Sequence, residues 1–564
     1  MSYQIRCFIK KEICKYADIP EKIFMSHMCL ERNTKKGFSF ELPLKTNFYN
    51  IEKYVKNIIQ QKFDGALKNI RVKKKDNHDM LSIDVDKHFF IKEILQTNLS
   101  KISAPLVSCN REKIVVEFSS PNIAKPFHVG HLRSTIIGNF TANMNEFFNN
   151  SVVKLNYLGD WGTQIGLVIL GMNLVGMSNE SIKNNSIEEL YNAYVYANKL
   201  AETDHEILDQ ARKIFQQLEN GDGMYFSQWQ SLKKYTVNEL DETYNRIGIK
   251  FDEYNWESSY NSSNIHHILK LMGDLGILTG DSKGRKAVSL NNNKLVPIIK
   301  SDGSTLYIVR DIAAAIDRAE KYNFDKMYYV ADSSQRDHFR SLKNILTKLN
   351  MAWASQIHHL PFGKIIGMST RKGTAVFLNN FLDEANAIIK QKQHQLNTTK
   401  VDKNENSQST DILGISAIII NDLKQRRLRD YAFNWDTALD MKGETGIKLQ
   451  YTHCRLANLK ENCGATVANQ CDPTLLEESI IDELIMSIAQ FDEAVIASYQ
   501  TLEACYLVKY LFNLSHTVNR TLERLRVKGE PMDIASQRLL LFQVAKNVLN
   551  TGMKLLGLMP LNKM

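Results

Sequence analysis

No Cys-x-x-Cys pair occurs among the eight cysteines of this 564-residue chain, which stand apart as Cys7, Cys14, Cys29, Cys109, Cys454, Cys463, Cys471 and Cys505. That scatter excludes a zinc ribbon or a disulfide framework and points to a reducing compartment. No run approaches the ~18 apolar residues of a membrane span, so a soluble chain without a membrane partner is expected. His-Glu-x-x-His is absent, as is any Cys/His cluster, which argues against a bound metal. The amino terminus, "MSYQIRCFIKKEICKYADIPEKIF", carries Arg6, Lys10, Lys11 and Lys15 but no apolar core. A secretory signal is thereby excluded, and a mitochondrial presequence stays open.

What is present is an ordinary globular composition, 43% hydrophobic and 24% charged. The length suggests about three domains. The net charge of +9 permits a polyanionic partner without requiring one.

Residues 1–105 read as a small α+β domain, and their basic run Lys73, Lys74 and Lys75 as a solvated face. From 106 to about 415 the pattern becomes α/β. "EKIVVEFSS" reads as a buried strand, "HLRSTIIGNFTANMNEFF" as a helix and "SVVKLNYLG" as a second strand. "STLYIVR" and "KMYYVAD" read as strands around the helix "DIAAAIDRAEKY", a second unit of the same kind. Such units build a Rossmann-like, doubly wound parallel sheet whose ligands sit at the carboxyl ends of the strands. On this reading His128, Asp311 and Asp332 each follow a strand and can converge on one cleft. The polar stretch 390–411 reads as a linker or surface insertion, and 416–564 as a helical domain.

In "FSSPNIAKPFHVGHLRSTIIGNF", residues 118–140, His128 and His131 flank Gly130 where strand gives way to helix. A metal site would need further ligands nearby. Glycine at a helix start allows close backbone approach, and first-turn N–H groups favour an anion. Two imidazoles there can donate to phosphate oxygens. A second cationic loop, "GMSTRKGT" at 367–374, brings Met368, Ser369, Thr370, Arg371, Lys372 and Gly373.

The pair of motifs resembles the HIGH and KMSKS signatures of class I aminoacyl-tRNA synthetases. "VVEFSSPNIAKPFHVGHLRSTIIGN", "NYLGDWGTQIGL", "SDGSTLYIVRDIAAAIDR" and "GIKLQYTHCRLANL" are similar to arginyl-tRNA synthetases from about residue 105 onward. "YLGDWG" and the ending "TGMKLLGLMPLNKM" look most like the animal mitochondrial branch. The resemblance implies arginine activation by ATP with Mg²⁺, transfer to the 2′-OH of tRNA(Arg), and a monomer. It assigns ATP to His128, Gly130, His131, Met368, Ser369, Arg371 and Lys372. It assigns arginine to Ser120, Pro121, Asn122, His131, Tyr307, Asp311 and Gln335. Asp311 would face the guanidinium, whose planar fork of donors calls for a carboxylate; it also fits an ordinary helix N-cap.

The KMSKS pattern is incomplete, because Thr370 stands where the loop lysine belongs and Gly367 replaces the leading lysine. Arginyl enzymes lacking that lysine resemble this chain in carrying one upstream of HIGH, here Lys125. They also resemble one another in requiring tRNA before arginine is activated. The helical domain is expected to read the anticodon, with Lys424, Arg426, Arg427 and Arg429 on phosphates and Tyr451, His453 and Arg455 on unstacked bases. Two rivals share parts of the pattern: a synthetase-like tRNA-binding paralogue, and a nucleotidylyltransferase with HxGH. The histidines and Asp311 weigh against the first, and the helical domain and arginine-site pieces against the second.

Overall fold

A computed structural model describes residues 1–16, 28–33, 37–46, 49–59, 65–75, 78–106, 110–123, 127, 129–177, 187–221, 223–280, 284–290, 294–301, 303–367, 377–395 and 408–564. The amino-terminal part begins with helix α1 (Ser2–Ile13). It continues through β1 (Cys29–Asn33), β2 (Gly37–Pro43), β3 (Leu67–Lys75), β4 (His78–Val85) and α2 (Lys87–Thr97). The strands pair antiparallel in the order β1-β2-β4-β3. Phe38, Phe40 and Leu42 alternate along β2 and are buried in the core. Asp86 caps α2 by accepting from the Phe89 N–H at 2.8 Å. The basic run lies on β3, where Lys73 pairs with Glu41, and Lys75 with Glu31 at 2.6 Å.

The α/β body starts with β5 (Lys113–Glu117), α3 (Val129–Phe147) and β6 (Ser151–Leu158). Four helices, α4 (Thr163–Leu174), α5 (Ile187–Thr203), α6 (His205–Glu219) and α7 (Gly223–Arg246), separate β6 from β7 (Glu253–Trp256). Then come α8 (Ser262–Asp274) and an antiparallel trio, β8 (Leu278–Gly280), β9 (Lys286–Ser289) and β10 (Leu295–Ile299). The body closes with α9 (Tyr307–Tyr322), β11 (Lys326–Asp332), α10 (Arg336–Lys348) and β12 (Ile357–Phe362). The main sheet runs β12-β11-β5-β6-β7, every pair parallel. Strand order therefore reverses between β5 and β11, and that reversal is where such sheets open a crevice for ligands.

The strand expected over 304–310 is not formed. The strand before it, β10, ends at Ile299, Leu306 is the N-cap, and α9 starts at Tyr307. β-branched and aromatic residues give "STLYIVR" a strand-like composition. However, Ile308, Val309, Ile312 and Ala315 recur at helical spacing and bury one face, and that burial decides. Asp311 thus stands in the helix, one turn after Tyr307, and is not its N-cap. The linker expected over 390–411 is also shorter: α11 (Leu378–Gln395) and α12 (Gln408–Leu423) take both its ends. Gln393 is buried and accepts from the Thr410 hydroxyl at 2.9 Å, so these ends belong to the core. The junction expected at 415/416 lies within α12, which runs unbroken through it.

The carboxyl-terminal part is helical: α13 (Gly446–Asn462), α14 (Ser479–Ala489), α15 (Phe491–Thr501), α16 (Ala504–Arg524) and α17 (Met532–Leu555). Among the described residues no helix is long and apolar enough to cross a membrane.

Candidate active site

Strand β5 ends in a strained turn. Ser119 and Ser120 have φ of 72° and 47°, a region non-glycine residues rarely occupy. Polar contacts hold the turn there. The Ser119 N–H donates to Ser134 Oγ (3.0 Å), the Ser120 N–H to Asn156 Oδ1 (3.0 Å), and Ser119 Oγ meets Tyr244 Oη at 2.6 Å. Thr135 Oγ1 donates to the His131 carbonyl at 2.7 Å, tying the first turn of α3 to the same network. Pro121, Asn122 and Ile123 then extend the sheet beside Gly159, where a Cβ would meet Asn122 Oδ1 at 2.0 Å. Close approach therefore requires a glycine in the "GDWG" element.

Helix α3 opens at Val129, so Gly130 and His131 lie in its first turn, the positive end of the helix dipole. Phe127 stacks on His131 at 5.5 Å. His128, Lys125, Met368, Ser369, Thr370, Arg371, Lys372 and Gly373 lie outside the described residues. The stem of the cationic loop is described: Ile365 and Ile366 pair in parallel with Tyr431 and Ala432.

Across the crevice, acids gather around Asp311. Glu117, the last residue of β5, is buried and meets Arg318 Nη1 at 2.5 Å. Burial pushes its carboxyl up, Arg318 opposes, and Asp311 adds to the rise. Glu257, just past β7, faces Arg310 at 3.8 Å. Burial pushes it up to about 7, Arg310 opposing and Asp311 and Asp160 adding to it. Asp311 Oδ2 lies 2.8 Å from His338 Nε2. The Tyr157 ring stacks on the Arg318 guanidinium at 4.8 Å, and its buried hydroxyl has no hydrogen-bond partner among the described residues. Three carboxylates and an orphaned hydroxyl suit a ligand that is cationic and rich in donors. Glu117, Glu257 and Tyr157 were not named from the sequence; they share no motif, and only the strand order brings them together.

Tyr307 is 66% exposed at the crevice mouth. Gln335 is exposed at the N-terminus of α10, while Asp332 is occupied as a cap, accepting from the Ser334 N–H at 2.8 Å. The buried Asp160 of "GDWG" takes Ser258 Oγ at 2.6 Å and Lys233 Nζ at 2.9 Å. Lys233 lies between the rings of Trp229 (4.2 Å) and Trp256 (4.0 Å). This clamp fixes the 257–259 turn, and so Glu257, against the helical insertion. Beside it a cavity of about 650 Å³ is lined by Trp161, Arg212, Phe215, His266, Lys300 and Tyr307, among others.

In the helical part, Tyr451 is 49% exposed on α13, with the Arg455 guanidinium 5.7 Å from its ring centre. His453, expected among base contacts, is instead buried, its Nδ1 2.6 Å from the Leu561 carbonyl. Arg426 and Arg429 are exposed. Arg427, grouped with them as a phosphate contact, turns inward to the Pro361 carbonyl and to Glu503 at 4.0 Å. The joint between the two parts is built on Arg133 of α3, 1% exposed. It donates to the carbonyls of Gly363 (2.5 Å) and Arg429 (2.9 Å) and pairs with Asp422 at 3.2 Å.

A family model described as tRNA synthetases class I (R), catalytic domain, matches residues 91–435. The DALR anticodon binding domain matches residues 449–564. The probable mitochondrial arginine--tRNA ligase of Homo sapiens is 41% identical over 458 residues, covering 80% of this chain and 79% of that protein. The cytoplasmic arginine--tRNA ligase of Saccharomyces cerevisiae is 38% identical, covering 80% of this chain and 77% of that protein. Among solved structures, arginyl-tRNA synthetase from Plasmodium falciparum superposes with a TM-score of 0.77 at 25% identity, covering 100% of this chain and 98% of that one. With a class I crevice, an acid-lined pocket and a helical anticodon domain in one chain, the protein belongs to the arginyl-tRNA synthetases.

Proposed function

We propose that this arginine--tRNA ligase seats the substrate guanidinium on Asp311 and Glu257, with the Tyr157 hydroxyl accepting one of its protons. The gathering of Asp311, Glu257 and Glu117 at the switch point carries the reading. Glu117 and the Ser120–Asn122 turn take the α-amino end, with Gln335 opposite. The arginine carboxylate then attacks the α-phosphorus of ATP, and the bond to pyrophosphate breaks. Mg²⁺ enters as part of the ATP substrate. No side-chain nucleophile takes part, so rate comes from alignment and from stabilising charge on phosphate oxygens. His128, His131 and the first turn of α3 supply that stabilisation, joined by Lys125, Met368, Ser369, Arg371 and Lys372. In the second step the terminal 2′-OH attacks the adenylate carbonyl and AMP departs. The cavity beside Trp161 and Tyr307 offers aromatic faces and cations for the terminal nucleotide. Arg426, Tyr451 and Arg455 face the anticodon arm, with Arg427 acting behind them.

Lysine is excluded because a point charge cannot satisfy two carboxylates arranged for a fork. Lost polar contacts of this kind discriminate by roughly 10⁴–10⁵ without an editing site. The decisive experiment charges tRNA with labelled arginine or lysine using purified protein. Arginine alone should be attached, and equal charging with lysine would refute the pocket. Similarity to mitochondrial relatives supports a matrix location, testable by organelle fractionation, and a monomer of 64.7 kDa is expected on sizing.

A further inference from the structure

Each acid of the pocket has a basic partner of its own. Glu117 has Arg318 at 2.5 Å, Glu257 has Arg310 at 3.8 Å, and Asp311 has His338 at 2.8 Å. Two of these partners are guanidiniums, which stay charged at any working pH. The third is an imidazole, which can discharge near neutrality. We propose that His338 is the positioning residue of the guanidinium seat: it holds Asp311 Oδ2, leaves Oδ1 for arginine, and yields its proton to solvent when arginine arrives. The proposal rests on the assignment of Asp311 to the substrate guanidinium.

His338 projects from the first turn of α10 toward α9, where Asp311 is the charged group acting on it. Arg336 and Asp337 on its own helix are solvent-exposed, and Lys294 beside β10 reaches Asp337 at 3.7 Å. Asp311 in turn acts on Glu257 and Glu117, and Arg310 acts on Glu257. The hydrogen bond to Asp311 raises the His338 pKa against the lowering effect of burial. A second cation on the same carboxylate reverses that balance, so arginine and the imidazole proton compete. Competition makes arginine bind more tightly as pH rises through the imidazole range and releases protons on binding. Glu257 releases protons in the same direction, so the share of His338 is read as a difference.

The test is calorimetric titration of arginine into the full-length protein at pH 7, in two buffers of different ionisation enthalpy. His338→Leu should weaken arginine binding roughly 10- to 100-fold, leaving the KM for ATP and the thermal midpoint near their original values. His338→Gln, whose amide can still donate to Asp311, should restore most of that affinity yet release fewer protons than the unmodified protein. Equal proton release by His338→Gln, or undiminished affinity in His338→Leu, overturns the proposal. Asp311→Asn separates the two levels. If it binds arginine normally, the seat itself is misassigned. If it loses arginine while His338→Gln releases protons as the original does, only the role of His338 falls.

Discussion

Under the proposed function Asp311 accepts a guanidinium, and among the described residues its hydrogen bond is to the His338 imidazole through Oδ2. Asp311→Asn should therefore cost about 3 kcal/mol or more in arginine recognition, read as a rise of roughly a hundredfold in the arginine KM with little change for ATP. Collapse of ATP binding with arginine affinity intact would exchange the two sub-sites. Glu257 adds a pH dependence. With its carboxyl at about 7, protonation grows as pH falls, and the neutral acid no longer attracts the guanidinium. Its share should raise the arginine KM about tenfold between pH 8 and pH 6, and Glu257→Gln should lack that share. Under the proposed mechanism His131→Ala removes a phosphate donor and should slow adenylate formation by ~10²–10³, while tRNA affinity stays the same. At this scale the sequence was legible where a motif surrounds the residue. Asp311 and Tyr307 stand in "SDGSTLYIVRDIAAAIDR" and are proposed from it, whereas "NWESS" gives no hint of Glu257, which only burial and the nearby charge of Asp311 single out.

Helix α3 can start at the switch point only because it lies close on β5. A Cβ at Gly138 would sit 2.2 Å from the Phe118 side chain, and the strained serines follow Phe118 directly. Gly138→Ala should cost about 1–3 kcal/mol by overpacking, with a loss of adenylation rate larger than the stability loss explains. A denaturant midpoint and an exchange assay on one sample compare the two. The signature loop and Lys125 divide one electrostatic task under the proposed mechanism. Lys125→Ala should cripple tRNA-stimulated ATP–pyrophosphate exchange, and Thr370→Lys in that background should recover part of it. Full activity of Lys125→Ala would refute the division. The element that composition misrepresented was 304–310. Its strand-forming residues serve a helix because Ile308, Val309 and Ile312 face the core, and tertiary burial overrides local preference.

For the whole molecule, the critical contact is Arg133, which belongs to the signature helix but binds the chain leading into the anticodon domain. Arg133→Met leaves Asp422 buried without its cation and should destabilise the protein by about 3–5 kcal/mol. Burial already pushes Asp422 up to about 6 and Arg133 holds it down, so losing Arg133 raises it further. A protonated Asp422 has no charge to compensate. The penalty should therefore be smaller at pH 5 than at pH 7.5, as urea unfolding at both values would show. Arg133 was unremarkable in the sequence, an arginine inside a helix. Its partners Gly363, Asp422 and Arg429 lie more than two hundred residues away, beyond the reach of any local pattern.

Helix α1 has its polar seat on α15, 489 residues further along the chain. The Met1 ammonium meets Asp492 at 3.2 Å, the Tyr3 N–H donates to the same carboxylate at 2.8 Å, and Arg6 pairs with Glu493. At ordinary rates of translation the seat emerges on the order of a minute after the helix. Throughout that interval Asp492 and Glu493 are not there to receive the polar side of α1, whose Ile5, Ile9 and Ile13 are buried in the finished protein. Arg6 thus waits for its carboxylate until the helical domain exists.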